Sequence, residues 1–252
     1  MRGPEETGPN HPVTTMIKTF LLATSLSLFG AALFGCSSPT PGDNVQCPGP
    51  GCPCRGAECT CNGGSCNLDC ADVETAALTC EFDCNGAADC NVTCGQACDI
   101  ECAPGTACMV TAAANAELDC SDATCEITAE SGADIGCERG AQCVVSATTN
   151  AELDCESNAT CDFTVGANSM VDCESGSTCT VVADANTDVE CLRATCDLTL
   201  AAGGSVYCGV DGTCTVTCEG ACEVECVGTA TCTLQCAGGE AAPLVGTGGC
   251  GV

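Results

Sequence analysis

Cysteine recurs along this chain at an interval that few folds can accommodate. One set stands at Cys84, Cys102, Cys120, Cys137, Cys155, Cys173, Cys191, Cys208 and Cys226, and the two steps to Cys137 and Cys208 are one residue shorter than the rest. A second set follows each member by six residues, or by five in the two short units: Cys90, Cys108, Cys125, Cys143, Cys161, Cys179, Cys196, Cys214 and Cys232. Self-similarity at so short a period marks a solenoid, in which each repeat covers the apolar face of the next. Two units carry a fuller pattern, adding Cys94 and Cys98 in one and Cys218 and Cys222 in the other. The middle units replace that extra pair with mostly small residues, such as Ala112 and Ala116 or Ala129 and Ala133.

The residues between the cysteines alternate. Val92, Val110, Ile127, Val145, Phe163, Val181, Leu198 and Val216 stand two after the second cysteine of their unit. Ile100, Leu118, Ile135, Leu153, Val171, Val189, Val206 and Val224 stand two before the first cysteine of the next. A period of two predicts strands, one reading Cys-Val-Ala inward and its return reading Ala-Leu-Cys inward. Most of these apolar residues are β-branched or Leu and suit a pleated surface. Asn115, Gly132, Asn150, Asn168, Asn186 and Gly203 end one turn, and Gly105, Gly140, Asn158 and Gly176 share a position in a wider one. Both residue types enter left-handed backbone at low cost. The reading is all-β: a disulfide-rich two-sided β-solenoid of about nine 17–18-residue rungs over residues 66–236, roughly 43 Å tall at about 4.8 Å per rung.

Such a coil needs cross-links. The chain holds 33 Cys but five Phe, one Tyr and no Trp, so the bulky side chains that fill most cores are missing. The two cysteines of a rung flank the wider turn and both point inward, with an expected Cα separation of about 5.5 Å. The spacing predicts Cys102–Cys108, Cys120–Cys125, Cys137–Cys143, Cys155–Cys161, Cys173–Cys179, Cys191–Cys196 and Cys208–Cys214, with Cys94–Cys98 and Cys218–Cys222 closing the narrow edge. Each short loop contributes about 2 kcal/mol when closed, and together such bonds substitute for a larger core. Pairing between stacked rungs is the rival connectivity. A metallothionein-like thiolate cluster is the rival chemistry, disfavoured by cysteines that alternate with buried Val and Leu. Closing a rung with a cysteine pair six apart resembles the disulfide-bonded β-solenoid antifreeze proteins of beetles, whose repeat is shorter; the resemblance implies a shared construction only.

Residues 16–35 read as an export signal: Lys18 precedes an apolar run from Phe20 to about Gly35. Leu33-Phe34-Gly35-Cys36 resembles the lipobox of bacterial lipoproteins. That resemblance implies cleavage before Cys36, a diacyl group on its thiol, a membrane attachment through that lipid, and outer-membrane sorting from Ser37. Cleavage after Ser37 and secretion is the other reading. Removing Cys36 leaves an even number of cysteines to pair in an oxidising compartment. Residues 1–15 read as an over-extended start, 36–65 as a Pro/Gly/Cys-rich linker and cap, and 237–252 as a Gly-rich tail.

Outward positions carry the chemistry. Asp99, Glu117, Asp134, Glu152, Asp188 and Glu223 fall in one column of the return strand, and Glu101, Asp119, Asp154, Asp172, Glu190 and Glu225 in the next. Carboxylates stacked about 4.8 Å apart repel by roughly 0.9 kcal/mol per pair in water. These twelve residues are therefore the candidate Ca²⁺ ligands, the divalent cation relieving that repulsion; the alternative is a solvated face that confers solubility. The other strand displays Thr124, Thr160, Thr178, Thr195, Thr213 and Thr231, and beside them Thr93, Thr111, Thr128, Thr164, Thr199 and Thr217. Cross-strand packing explains such ladders. Ice binding is the minor alternative, opposed by Glu126, Asp162 and Asp197 in the column between.

Beyond the signal the chain has no His or Lys, and its cations are Arg55, Arg139 and Arg193. General acid–base chemistry would rest on exposed carboxylates with no pocket to tune them, so no enzymatic activity and no cofactor is expected. A net charge of −29 opposes nucleic-acid binding. The expected role is that of a lipid-anchored structural or adhesive element outside a bacterial cell, with cations or surface polysaccharide as candidate partners.

Overall fold

The computed structural model describes residues 54–55, 58–61, 63–70, 80–86 and 89–251. Cys36, the expected signal at 16–35 and the segment 1–15 lie outside them. The described residues form strands and turns, with no helix among them. Strands alternate along the chain between two sheets, of twelve and eleven strands among the described residues. Cys98–Cys102 lies in the first sheet, Ala107–Ala112 in the second, and Glu117–Ser121 in the first again. The molecule is thus a parallel β-solenoid of about nine turns, and each turn is one sequence repeat.

Register explains the period. In the first sheet Cys102 pairs with Cys120, Cys120 with Cys137, and so on to Cys226. In the second, Cys90 pairs with Cys108 and the column runs to Cys232. Burial alternates residue by residue: Thr124–Ala129 buries Cys125, Ile127 and Ala129 and exposes the three between. Slipping one residue would turn every apolar side chain outward, so the pattern holds a single register.

The two short units keep this register because the missing residue comes out of the wider turn. Three of the long turns hold two successive left-handed residues, Arg139-Gly140, Ser157-Asn158 and Ser175-Gly176, and others hold one, such as Gly105, Asp211 or Gly228; the short ones hold one, Asp122 or Arg193. At the opposite edge Asn115, Gly132, Asn150, Asn168, Asn186 and Gly203 all adopt positive φ, as their residue types lead one to expect. Turn amides also bond between rungs, Asn115 N–H to Ser131 O at 3.0 Å and Gly132 N–H to Thr149 O at 3.1 Å. The coil is therefore hydrogen-bonded around its perimeter, not only along its faces.

The described rungs close with Cys84–Cys90, Cys102–Cys108, Cys120–Cys125, Cys137–Cys143, Cys155–Cys161, Cys173–Cys179, Cys191–Cys196, Cys208–Cys214 and Cys226–Cys232. The narrow edge is bonded by Cys94–Cys98 and Cys218–Cys222. Cα separations across the wide edge run from 6.2 Å in Cys84–Cys90 to 6.6 Å in Cys120–Cys125. That is wider than the spacing expected from sequence, yet inside the range a disulfide spans.

Where the narrow-edge pair is absent, the two residues divide the space. Ala112 faces Ala116, Ala129 faces Ala133 and Ala147 faces Ala151, whereas Val165 is matched by Ser169 and Leu200 by Gly204. The buried hydroxyls are satisfied: Ser169 Oγ donates to Gly166 O at 2.8 Å and Thr187 Oγ1 to Asp184 O at 3.0 Å.

The chain reverses after Cys236. Ala242–Leu244 lies antiparallel on Thr231–Cys236, and Gly246–Cys250 antiparallel on Cys222–Cys226. A Cys236–Cys250 bond ties this cap to the last rung. Both sheet edges end on short strands, one with Pro243 and the other rich in glycine, which offer little to a further strand.

Candidate functional site: the acidic face

The outer face of the twelve-stranded sheet gathers the carboxylates. Strand register gives one column as Glu58, Glu81, Asp99, Glu117, Asp134, Glu152, Met170, Asp188, Ser205 and Glu223. The neighbouring column runs Asp83, Glu101, Asp119, Gly136, Asp154, Asp172, Glu190, Tyr207 and Glu225. All twelve acids singled out from sequence lie here, at positions where the pleat points them out of the coil. Glu58, Glu81 and Asp83 extend the columns toward the N-terminal end.

A third flank escaped the sequence reading. Glu138 and Glu174 follow the cysteine of their strands, Glu138 beside Ser121 and Glu174 beside Leu192. Glu156 joins them, its N–H bonded to Cys137 O at 2.9 Å. These glutamates sit where strand passes into turn, so strict alternation did not mark them as part of the face. Arg139 offsets one of them, its Nε 3.5 Å from Glu138 Oε2 at an exposed position.

The middle column is consequently hemmed in on both sides. Burial, followed by the charges of Asp172, Glu152, Asp134 and Glu156, pushes the Asp154 carboxyl up to about 6. Burial and then Glu190, Glu174, Glu152 and Glu156 push Asp172 to about 6 as well. Asp119 is raised by burial and by Glu138, Asp99, Asp134 and Glu101. Gly136 breaks the column beside Asp119: a Cβ there would stand 2.9 Å from Asp119 Oδ1, so the carboxylate occupies the room that the missing side chain leaves. A face of this kind attracts cations and holds protons more tightly than isolated carboxylates do.

The opposite face carries the threonines. The columns contain Thr124, Thr160, Thr178, Thr195, Thr213 and Thr231, interrupted by Ala107 and Gln142. The column between them holds Met109, Glu126, Val144 and Asp162. A shallow open trough of about 720 Å³ follows this column, with Met109 and Val144 each 55 % exposed on its floor. Carboxylates and apolar side chains thus break the hydroxyl array along much of its length.

Inside the coil, sulfurs of neighbouring rungs approach one another. The Sγ atoms of Cys102, Cys108 and Cys125 all lie within 4.8 Å, as do those of Cys120, Cys125 and Cys143. They are bonded in pairs across their own rungs, so they are not the free thiolates that a soft-metal cluster requires.

Architecture and bonding define a class of protein, a disulfide-clamped parallel β-solenoid with one acidic face. No protein family, no curated protein and no solved structure matches this chain.

Proposed function

We propose that this protein is a non-enzymatic structural or adhesive element, held by a lipid on Cys36 at the outer surface of a bacterial cell. The observation that carries this reading is the in-register column of rungs from Cys98 to Cys236, with no insertion among these residues long enough to wall a cleft. Regular hydrogen bonding and a covalent clamp in every rung favour a stiff rod over a catalyst. The carboxylates repeat along a face and do not converge on one point. The signal-like segment and the sequence at Cys36 supply the anchor.

Two arms test the proposal. Full-length chain grown with an alkyne-tagged fatty acid should carry the tag, fractionate with the outer membrane and be reached by antibody on intact cells. Cys36→Ala should abolish the tag and release the chain. In the second arm, any attachment or envelope phenotype of a deletion strain should be restored by variants that neutralise one carboxylate pair at a time. An untagged cytoplasmic chain, or a rescue that is lost when a single carboxylate pair is neutralised, would overturn the reading.

A second reading is favoured by the raised Asp154 and Asp172: the face acts as a low-affinity divalent-cation module. Calcium would take over the work of protons on the middle column. Calorimetric titration with millimolar Ca²⁺ at pH 7.5 should then give heat that disappears in Asp154→Asn/Asp172→Asn. A flat thermogram for the unsubstituted protein removes this reading and leaves the first intact.

A further inference from the structure

The close approach of sulfurs between rungs gives the coil a chemistry of its own. Each trio joins both atoms of one rung's bond to one atom of the next: Cys102 and Cys108 with Cys125, Cys120 and Cys125 with Cys143, Cys173 and Cys179 with Cys196, Cys191 and Cys196 with Cys214. All within 4.8 Å, these sulfurs are also shielded from solvent, none of their residues being more than 3 % exposed. The pairs Cys108 with Cys125, Cys125 with Cys143 and Cys179 with Cys196 are directly opposed on neighbouring parallel strands. Neighbouring strands stand about 4.8 Å apart, and a disulfide accepts Cα separations of roughly 4.4–6.8 Å. The Cα spacing between rungs therefore falls in the range a disulfide spans, and the sulfurs themselves are already close.

We propose that the stacked disulfides form an internal exchange path, along which a free thiol moves from rung to rung without the coil unfolding. Take a Cys125 thiolate whose partner is missing. It attacks Cys108 Sγ; the Cys108–Cys125 bond forms as Cys102–Cys108 breaks, and the electron pair leaves on Cys102. Attack on Cys143 instead forms Cys125–Cys143 and releases Cys137. One bond is made for each one broken, so no oxidant or reductant is consumed. The first thiolate arises where a bond fails to form, or where a small-molecule thiol reduces one. Cys226, 8 % exposed and so less buried than the central sulfurs, stands in the last rung of this column, where such a thiol can reach it. Burial keeps an internal thiol mostly protonated, so the exchange runs on the minutes-to-hours scale of uncatalysed disulfide rearrangement. A rung left open during oxidation can thereby pass its defect along the column, and the coil corrects its own pairing.

The test follows the thiol. Oxidised Cys120→Ala, folded by circular dichroism, is held at pH 8.5, sampled over a day, quenched with acid, alkylated after unfolding and mapped by mass spectrometry. The adduct should begin on Cys125 and spread to Cys102 and Cys137 while the number of bonds stays constant. Cys173→Ala is the second variant, its adduct moving from Cys179 to Cys191. Ala129→Cys is the control: its stacked neighbours are Ala112 and Ala147 and it faces Ala133, so the added thiol should stay in place. Adduct confined to Cys125 and Cys179 throughout would overturn the proposal. So would equal scrambling in the Ala129→Cys control, because exchange would then run through opened chain.

Discussion

Leu200 and Gly204 face each other across the narrow edge, at the place where Cys94–Cys98 and Cys218–Cys222 are bonded and three described rungs have alanine on both sides. Leu200 is fully buried, and a Cβ on Gly204 would lie 3.4 Å from Leu200 Cβ and Cδ1 and 3.3 Å from Thr187 O. The pair keeps the volume constant, so each residue is right only beside the other. Leu200→Ala should cost about 2–5 kcal/mol through the cavity it opens. Adding Gly204→Ala should recover part of that loss by restoring the Ala–Ala pair of other rungs, although the same change alone crowds Leu200. A double-mutant cycle in urea should therefore show favourable coupling of about 0.5 kcal/mol or more; simple additivity would refute the account. Asp154 and Asp172 govern the response to acid. Their carboxyls titrate near 6 in the folded chain against an ordinary value of 3.8, so the folded state holds extra protons between those limits. The cost of their charge is present above pH 6 and is relieved as pH falls toward 4. The melting temperature should rise on acidification from pH 7.5 to pH 5. Asp154→Asn/Asp172→Asn should raise it at pH 7.5 and flatten that slope.

At the scale of elements, the end of the coil is its exposed point. The last rung offers Cys222–Cys226 and Thr231–Cys236 as edge strands, and the antiparallel pieces Ala242–Leu244 and Gly246–Cys250 cover them. Parallel strands left bare are templates for another chain. Deleting residues 237–252 should leave the β-sheet circular dichroism largely unchanged and convert monomer into larger assemblies, read by light scattering. The deletion also leaves Cys236 without its partner, so Cys236→Ser belongs in the truncated chain to separate edge pairing from intermolecular disulfides. A truncated chain that stays monomeric would show that the cap does not protect the edge.

For the whole molecule, stability accumulates rung by rung because each rung touches only its neighbours. Residues 156–173 make one complete turn of the coil, from the residue after Cys155 through Cys173. Their removal joins Cys155 to Glu174 and brings Cys179 to the place Cys161 held, so a Cys155–Cys179 bond should form in a shorter coil. Intact mass should show one disulfide fewer and no free thiol, with cooperative melting retained. Removing 156–164, half a turn, places turn residues on strand positions and should leave an aggregated, incompletely oxidised chain. The same one-dimensional design gives every rung its own clamp, which suits the proposed role of a stiff surface element.

The architecture is legible in the chain alone, because two periodicities coincide in it. The regular cysteine step sets the length of a turn, and the alternation around Val110, Leu118 and their counterparts sets which side chains face inward. Both are local properties and need no coordinates to be seen. Which residues come to share a surface is another matter, settled by how the turns stack. Glu138, Glu156 and Glu174 join the acidic face because strand meets turn there, a position that simple alternation does not register. The raised carboxyls of Asp154 and Asp172 depend on charges from neighbouring rungs on both flanks, close in the coil but remote along the chain. The fit of Leu200 to Gly204, the cap folded back after Cys236 and the approach of sulfurs between rungs have the same origin. Stacking brings distant residues within a few ångströms, and that proximity is a property of the coil, not of any one repeat.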